Sequence, residues 1–153
     1  MASTIVAADL TVTIIESITL NSSNMGATNT LVVESVNEIN QRIVSVDADN
    51  VRTLFEFSTT IGSGTYVRAN VKYLRITNKD DTNAISLNLE SATSNCWITL
   101  TAGESFMLSA ASAAIEADDD TTIAAPTLQD LISISAYSSN QVVIDLDCYI
   151  ALT

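Results

Sequence analysis

The chain has 153 residues, a formal net charge of −12 and a pI near 4.1. Such an acidic balance argues against nucleic acid as a partner, because phosphate binding depends on clustered Lys and Arg. Its apolar residues are dispersed by Ser, Thr and Asn, and no apolar run approaches the ~18 residues that span a bilayer, which argues against a membrane protein.

The first nine residues are small and weakly patterned, which is typical of an extended arm or a frayed terminus. We predict an N-terminal arm over residues 1–9 and a single β domain over residues 10–153. The arm residues expected to contact a neighbouring subunit are Ser3, Thr4, Ile5 and Val6. No basic and continuous apolar signal segment opens the sequence, so synthesis in a reducing cytoplasm is expected and the pairing of Cys96 with Cys148 is left open.

Alternating apolar and polar residues predict strands over residues 10–20, 31–36, 39–46 and 51–57. Residues 70–108 carry the clearest strand and turn pattern and are interpreted as a β-meander. Within it the apolar phase switches after Tyr73, which predicts a β-bulge or a crossing between sheets. Residues 128–137 and 141–152 are expected to close the chain as a hairpin around residues 138–140.

Residues 109–127 form the longest irregular stretch, with an Ala-rich part, an acidic run and the one proline of the sequence. A loop of this length is often an interaction element. The candidate contact residues in it are Ile115, Glu116, Asp118, Asp119 and Asp120. The acidic run lacks the spacing of a calcium loop, so a solvated loop is favoured over a cation site.

About nine or ten short strands, with no helix of normal length, predict an all-β, single-domain antiparallel β-sandwich that is jelly-roll-like. The sequence has no histidine and no G-x-S-x-G, P-loop, G-x-G-x-x-G or C-x-x-C motif. No enzyme activity, catalytic residue, metal or cofactor is therefore expected.

Three further side chains are candidates for contacts. Arg68 and Lys72 belong to a set of six basic residues confined to residues 42–79, which either form a basic band against a neighbouring copy or are ordinary solvated charges. Trp97 falls out of phase with Cys96 and Ile98, which indicates packing in the core or at a subunit interface or, alternatively, stacking on a sugar ring.

The order YLRITN at 73–78, LTAGESF at 100–106 and DLISISA at 130–136 resembles small β-sandwich virion proteins of tailed bacteriophages, of the capsid decoration (cement) type. The resemblance covers about residues 65–152 and brings no catalytic residues. It implies a structural protein on the outer surface of the virion that binds the major capsid protein across subunit joints as a homodimer or homotrimer. A carbohydrate-binding or adhesion module of a phage tail fibre or spike is the alternative.

Overall fold

The computed structural model describes residues 5–109, 114–115, 127–139 and 142–153. Within these ranges the chain forms fourteen strands and a 3-10 turn at Arg68–Asn70. The strands are β1 Ala8–Ile15, β2 Thr19–Leu20, β3 Ser23–Asn24, β4 Thr28–Val36, β5 Glu38–Val46, β6 Val51–Ser58, β7 Tyr66–Val67, β8 Val71–Asn78, β9 Ile85–Ser91, β10 Asn95–Leu100, β11 Ser105–Leu108, β12 Ala114–Ile115, β13 Gln129–Tyr137 and β14 Ile144–Leu152.

Two sheets build the body of the domain, one of four strands and one of six, and all their pairings are antiparallel except that of β6 with the short β7. The four-stranded sheet has the order β11-β8-β14-β5, and the six-stranded sheet has the order β10-β9-β13-β6-β7, with β12 paired to β13 beside it. Strand β9 pairs with β10 in one sheet. The strands before and after them, β8 and β11, pair with each other in the other sheet. This order is that of a jelly roll, so the predicted all-β antiparallel sandwich is confirmed.

The core lies between the two sheets. Strand β9 shows how it forms: Ile85, Leu87 and Leu89 are buried while the residues between them are only half-buried. Strand β14 presents a matching face with Leu146 and Ile150. The two faces meet because each sheet has one apolar side that must be removed from water.

The predicted irregularity near Tyr73 is confirmed as a β-bulge. Ala151 pairs with Tyr73 but the next residue, Leu152, pairs with Val71, so Lys72 is the extra residue on β8. The bulge lets Val71 and Leu74 both face the main core, while Tyr73 points to the opposite side of the sheet.

Two predicted pairings are wrong. Residues 70–108 are not a meander, because β8 and β9 lie in different sheets, and β13 and β14 do not form a hairpin, because β13 pairs with β6 and β9 while β14 pairs with β5 and β8. Alternation specifies which face of a strand is buried but not which strand lies beside it. In this fold, strands that follow one another in sequence pack their apolar faces together across the sandwich instead of pairing side by side in one sheet.

Two arginines cross between the sheets where β5 leads into β6. Arg42 on β5 donates to the carbonyl of Leu54, and Arg52 on β6 donates to the carbonyl of Ser45 at 3.1 Å. Each guanidinium thus occupies a main-chain acceptor on the other strand, which limits pairing of these strands with another chain.

Strands β1 to β4 form a third layer outside the sandwich. We call residues 8–36 the ribbon. It begins at Ala8, so the last two residues of the predicted arm belong to it, and the predicted strand over residues 10–20 is divided into β1 and β2.

Candidate functional site: the hairpin ribbon

The ribbon is one long β-hairpin with an interruption. Asn21 and Ser22 occupy the left-handed region with φ of 49° and 67°, as the tight turn of a hairpin requires. Below the turn, Met25 N donates to the Ile18 carbonyl and Glu16 N donates to the Ala27 carbonyl. A Cβ at Gly26 would lie 2.2 Å from the Glu16 oxygen, so this close approach requires glycine.

A bulge near the root orients the ribbon. Ala8 pairs with Val36 and Leu10 pairs with Val33, which leaves one extra residue on β4. Ser35 absorbs it with φ of 60°, and its N–H donates to the Asp9 carboxylate at 3.2 Å. As a result Val33 and Val36, three residues apart, are both buried.

The root packs on the outer face of the jelly roll. Val33 and Val36 form a second apolar cluster with Tyr73 and Ala151, flanked by Tyr149 and by Leu10 and Val12 of β1. The Tyr73 and Tyr149 rings meet edge to face at 5.9 Å between centroids. Burial raises the pKa of Tyr73 above the ordinary value of a tyrosine.

From its root to its turn, the ribbon exposes several large apolar side chains. Ile15 is 71% exposed and Met25 is 65% exposed. The full set, which we call the apolar tip, is Ile14, Ile15, Ile18, Leu20, Met25, Leu31 and Val32. Clusters of this kind on a folded domain usually mark an interaction surface.

Two apolar grooves flank the ribbon. One, of about 310 Å³, lies against β11 and is lined by Ile14, Leu31, Tyr73 and Met107 among others. The other, of about 270 Å³, lies at the root and is lined in part by Ile5, Val6 and Ile39. Together with the apolar tip they form a largely apolar surface along the ribbon.

The charge of the ribbon is wholly acidic. Residues 8–36 contain Asp9, Glu16 and Glu34 and no Lys or Arg. All six basic residues lie in residues 42–79, on the sandwich itself. A ribbon that meets another molecule therefore presents apolar side chains with a sparse negative border.

The predicted arm residues fall into two groups. Ile5 and Val6 are 72% and 84% exposed and line the root groove, which places them beside the ribbon. Ser3 and Thr4 lie outside the described residues, as do Glu116, Asp118, Asp119 and Asp120 of the acidic run.

The two predicted basic contact residues are engaged within the chain. Arg68 donates to the Leu131 carbonyl at 2.7 Å and to the Asp130 carboxylate at 2.8 Å, and its side chain is only 14% exposed. Lys72 donates to the Ala69 carbonyl at 2.8 Å. Both side chains fasten the turn before β8 to neighbouring main chain.

Trp97 and Ile115 have different surroundings. Trp97 lies on β10, is 51% exposed and points away from the core, as its phase in the sequence indicates. Ile115 lies on β12, which pairs with β13, and its half-buried side chain packs against the main core. The structure brings neither residue to the ribbon.

The described residues hold two free thiols and no group of metal ligands. Within residues 5–109, 114–115, 127–139 and 142–153 no three Cys, Asp or Glu side chains are grouped so as to hold a metal ion. Cys96 and Cys148 are free thiols, and burial raises the pKa of Cys148 to about 12, which makes it a poor nucleophile. No helix in this part of the chain is long and apolar enough to cross a membrane.

Sequence reasoning missed the ribbon as a contact surface. The available signal was that residues 14–15 and 31–33 place apolar side chains on both faces of the predicted strands. A strand that packs one face on a core needs apolar residues on that face only. Apolar residues on the second face therefore indicate that this face is exposed or contacts something else.

Comparison with known proteins gives structural likeness but no sequence match. No protein-family model and no curated sequence matches the chain. A solved chain of the Bacillus endospore appendages, which form "a novel family of disulfide-linked pili", superposes with a TM-score of 0.40 and 11% identity, covering 74% of this chain and 86% of that one. At this level of similarity the likeness carries no argument about function.

Proposed function

We propose that this chain is a non-catalytic structural protein that works by attachment, and specifically a decoration protein of a tailed-phage capsid. The observation that carries the proposal is the apolar tip, exposed on a ribbon whose root is anchored to a jelly roll. The resemblance of residues 65–152 to capsid decoration proteins suggests a phage head as the particle that this protein would bind.

The attachment is apolar in character. Removing apolar surface from water contributes about 25 cal/mol per Å². The apolar tip and the adjoining grooves would be covered by joints between major capsid subunits, by a second copy of this chain, or by both. A homodimer or homotrimer would multiply weak contacts along a symmetric shell.

Rigidity of the body suits the same role. The sandwich has a continuous core, and its two crossed arginines occupy main-chain acceptors between β5 and β6. A rigid body loses little conformational entropy on attachment, so more of the contact energy remains for binding.

The test is co-sedimentation of the purified chain with heads of the particle that encodes it. We expect the combined variant Ile15→Ser, Leu20→Ser and Met25→Ser to keep its melting temperature but to bind heads at least tenfold more weakly. The matched control replaces exposed apolar residues outside the ribbon, Ile61→Ser and Val143→Ser, and should bind normally. Equal binding by all three proteins would remove the ribbon from the proposal.

A further inference from the structure

The outer face of the second sheet differs in chemistry from the ribbon. Its residues form rows across β10, β9 and β13, because Trp97 pairs with Asn88 and Asn88 pairs with Ser135, while Asn95 pairs with Glu90 and Glu90 pairs with Ser133. We call these six residues the polar platform. Neighbouring strands lie about 4.8 Å apart, so the Asn88 amide stands directly beside the indole. Ser133 and Ser135 lie one strand further away and are buried.

Not all hydrogen bonds among the platform side chains are short, so some of these side chains can reorient. Ser133 donates to the Glu90 carboxylate at 2.7 Å, whereas Asn88 Nδ2 donates to Asn95 Oδ1 only at 3.3 Å. The side-chain carbonyl oxygen of Asn88 is buried and accepts no hydrogen bond within the described part of the chain. Since an unpaired buried acceptor is costly, a donor from a ligand would be favourable once the amide turns toward it.

We propose that the polar platform binds neutral oligosaccharides, a function beyond the structural role above. A sugar ring has one apolar C–H face, which suits the half-exposed Trp97, and a border of hydroxyls, which suits the amides and Glu90. The platform rows contain no aliphatic side chain, whereas the centre of a protein interface is usually apolar. Glu90 and the net charge of −12 disfavour anionic sugars.

Fluorescence of the full chain tests this directly, because Trp97 is its only tryptophan. The probes are neutral oligosaccharides of hexose and of N-acetylhexosamine, with sialylated and uronic-acid oligosaccharides for comparison. We expect a saturable change in emission with at least one neutral probe and none with the anionic ones.

Variants locate the binding. Asn88→Ala and Glu90→Gln keep the fluorophore and should weaken binding about tenfold, and Trp97→Ala should weaken it at least as much by calorimetry. Ile61→Ala, an exposed residue outside the platform, is the control and should bind like the wild type.

No saturable change with any neutral probe, or equal affinity in Asn88→Ala, would overturn the proposal. Loss of head binding by Trp97→Ala, in a protein without sugar binding, would instead assign the face to assembly and leave the proposed structural function standing. If only the apolar-tip variant loses head binding, the result supports attachment through the ribbon and leaves the sugar-binding proposal to the fluorescence test.

Discussion

Asn78 is a single buried side chain that joins three segments of the jelly roll. Its Nδ2 donates to the carbonyls of Asn83 at 2.8 Å and of Leu100 and Thr101 at 3.2 Å each, and its Oδ1 accepts from Asp80 N at 3.0 Å. The side chain is fully buried, so no water can replace these partners. The end of β8, the turn after it and the segment before β11 therefore depend on one amide.

We predict that Asn78→Asp lowers the free energy of unfolding by about 3 kcal/mol or more, because a carboxylate of the same shape would face three carbonyl acceptors. Urea denaturation followed by circular dichroism measures this. Asn29→Asp, at an exposed strand position, is the control and should change stability by less than about 0.5 kcal/mol. A small effect at Asn78 would mean that the turn finds other partners.

Two acidic residues of the same region predict an acid-sensitive fold. The N–H groups of Asn83 and Thr82 bonded to the Asp80 carboxylate lower its pKa, and the N–H of Thr101 lowers the pKa of Glu104 in the same way. A pKa that is lower in the folded state contributes stability above the unfolded value, and that contribution is lost as the pH falls through the folded value.

We therefore expect the wild type to lose stability as the pH falls below about 4, and we expect Asp80→Asn with Glu104→Gln to show a shallower dependence. Thermal unfolding between pH 7 and pH 2 measures both. Glu34→Gln, on the exposed ribbon, should follow the wild-type curve. Parallel curves for the double variant and the wild type would contradict the assignment to these two carboxylates.

At the scale of the element, the ribbon is attached to the jelly roll by a small apolar cluster. Val33 is buried against the sandwich, while Val32 beside it is 52% exposed on the other face. A hairpin this isolated is marginally stable alone, so its order depends on the root. Fully burying one Val contributes roughly 1.5 to 3 kcal/mol.

We predict that Val33→Ser opens the ribbon without unfolding the jelly roll. Hydrogen exchange should then show loss of protection in β1 and β4 but not in β13 or β14, because only the second apolar cluster is disturbed. Val32→Ser keeps the root intact and should leave β1 and β4 protected. Exchange that increases uniformly in Val33→Ser would show that ribbon and sandwich unfold as one unit.

Local pattern predicts the elements of this fold better than their partners. The alternation of Ile85, Leu87 and Leu89 and the phase switch at Tyr73 each gave a feature that the structure contains. The hairpin expected from β13 and β14 failed because jelly-roll neighbours are distant in sequence, and nothing in either strand encodes its partner. Of the candidate contact residues, Arg68 could not be assigned from sequence because its acceptor, the Leu131 carbonyl, is brought near only by the fold.

At the scale of the whole molecule, net charge opposes association. Each copy carries −12, so two copies repel unless apolar contact outweighs the repulsion. Salt screens charges beyond about 8 to 10 Å near physiological ionic strength but does not weaken apolar contact. Self-association through the ribbon should therefore increase with salt.

We predict that sedimentation velocity of the wild type shows a growing dimer or trimer fraction between 20 mM and 500 mM NaCl, an interval over which screening lengths fall several-fold. The variant Ile15→Ser, Leu20→Ser and Met25→Ser should stay monomeric throughout. A salt-induced oligomer in that variant would place self-association elsewhere on the molecule.

Arg42 and Arg52, which link β5 and β6, affect how copies of the protein contact one another at high concentration. A strand from another molecule finds the carbonyls of Leu54 and Ser45 already taken. Cross-β growth requires main-chain groups that are still vacant along an edge. Pairing of β5 or β6 with a strand of another copy is therefore disfavoured, even at high protein concentration.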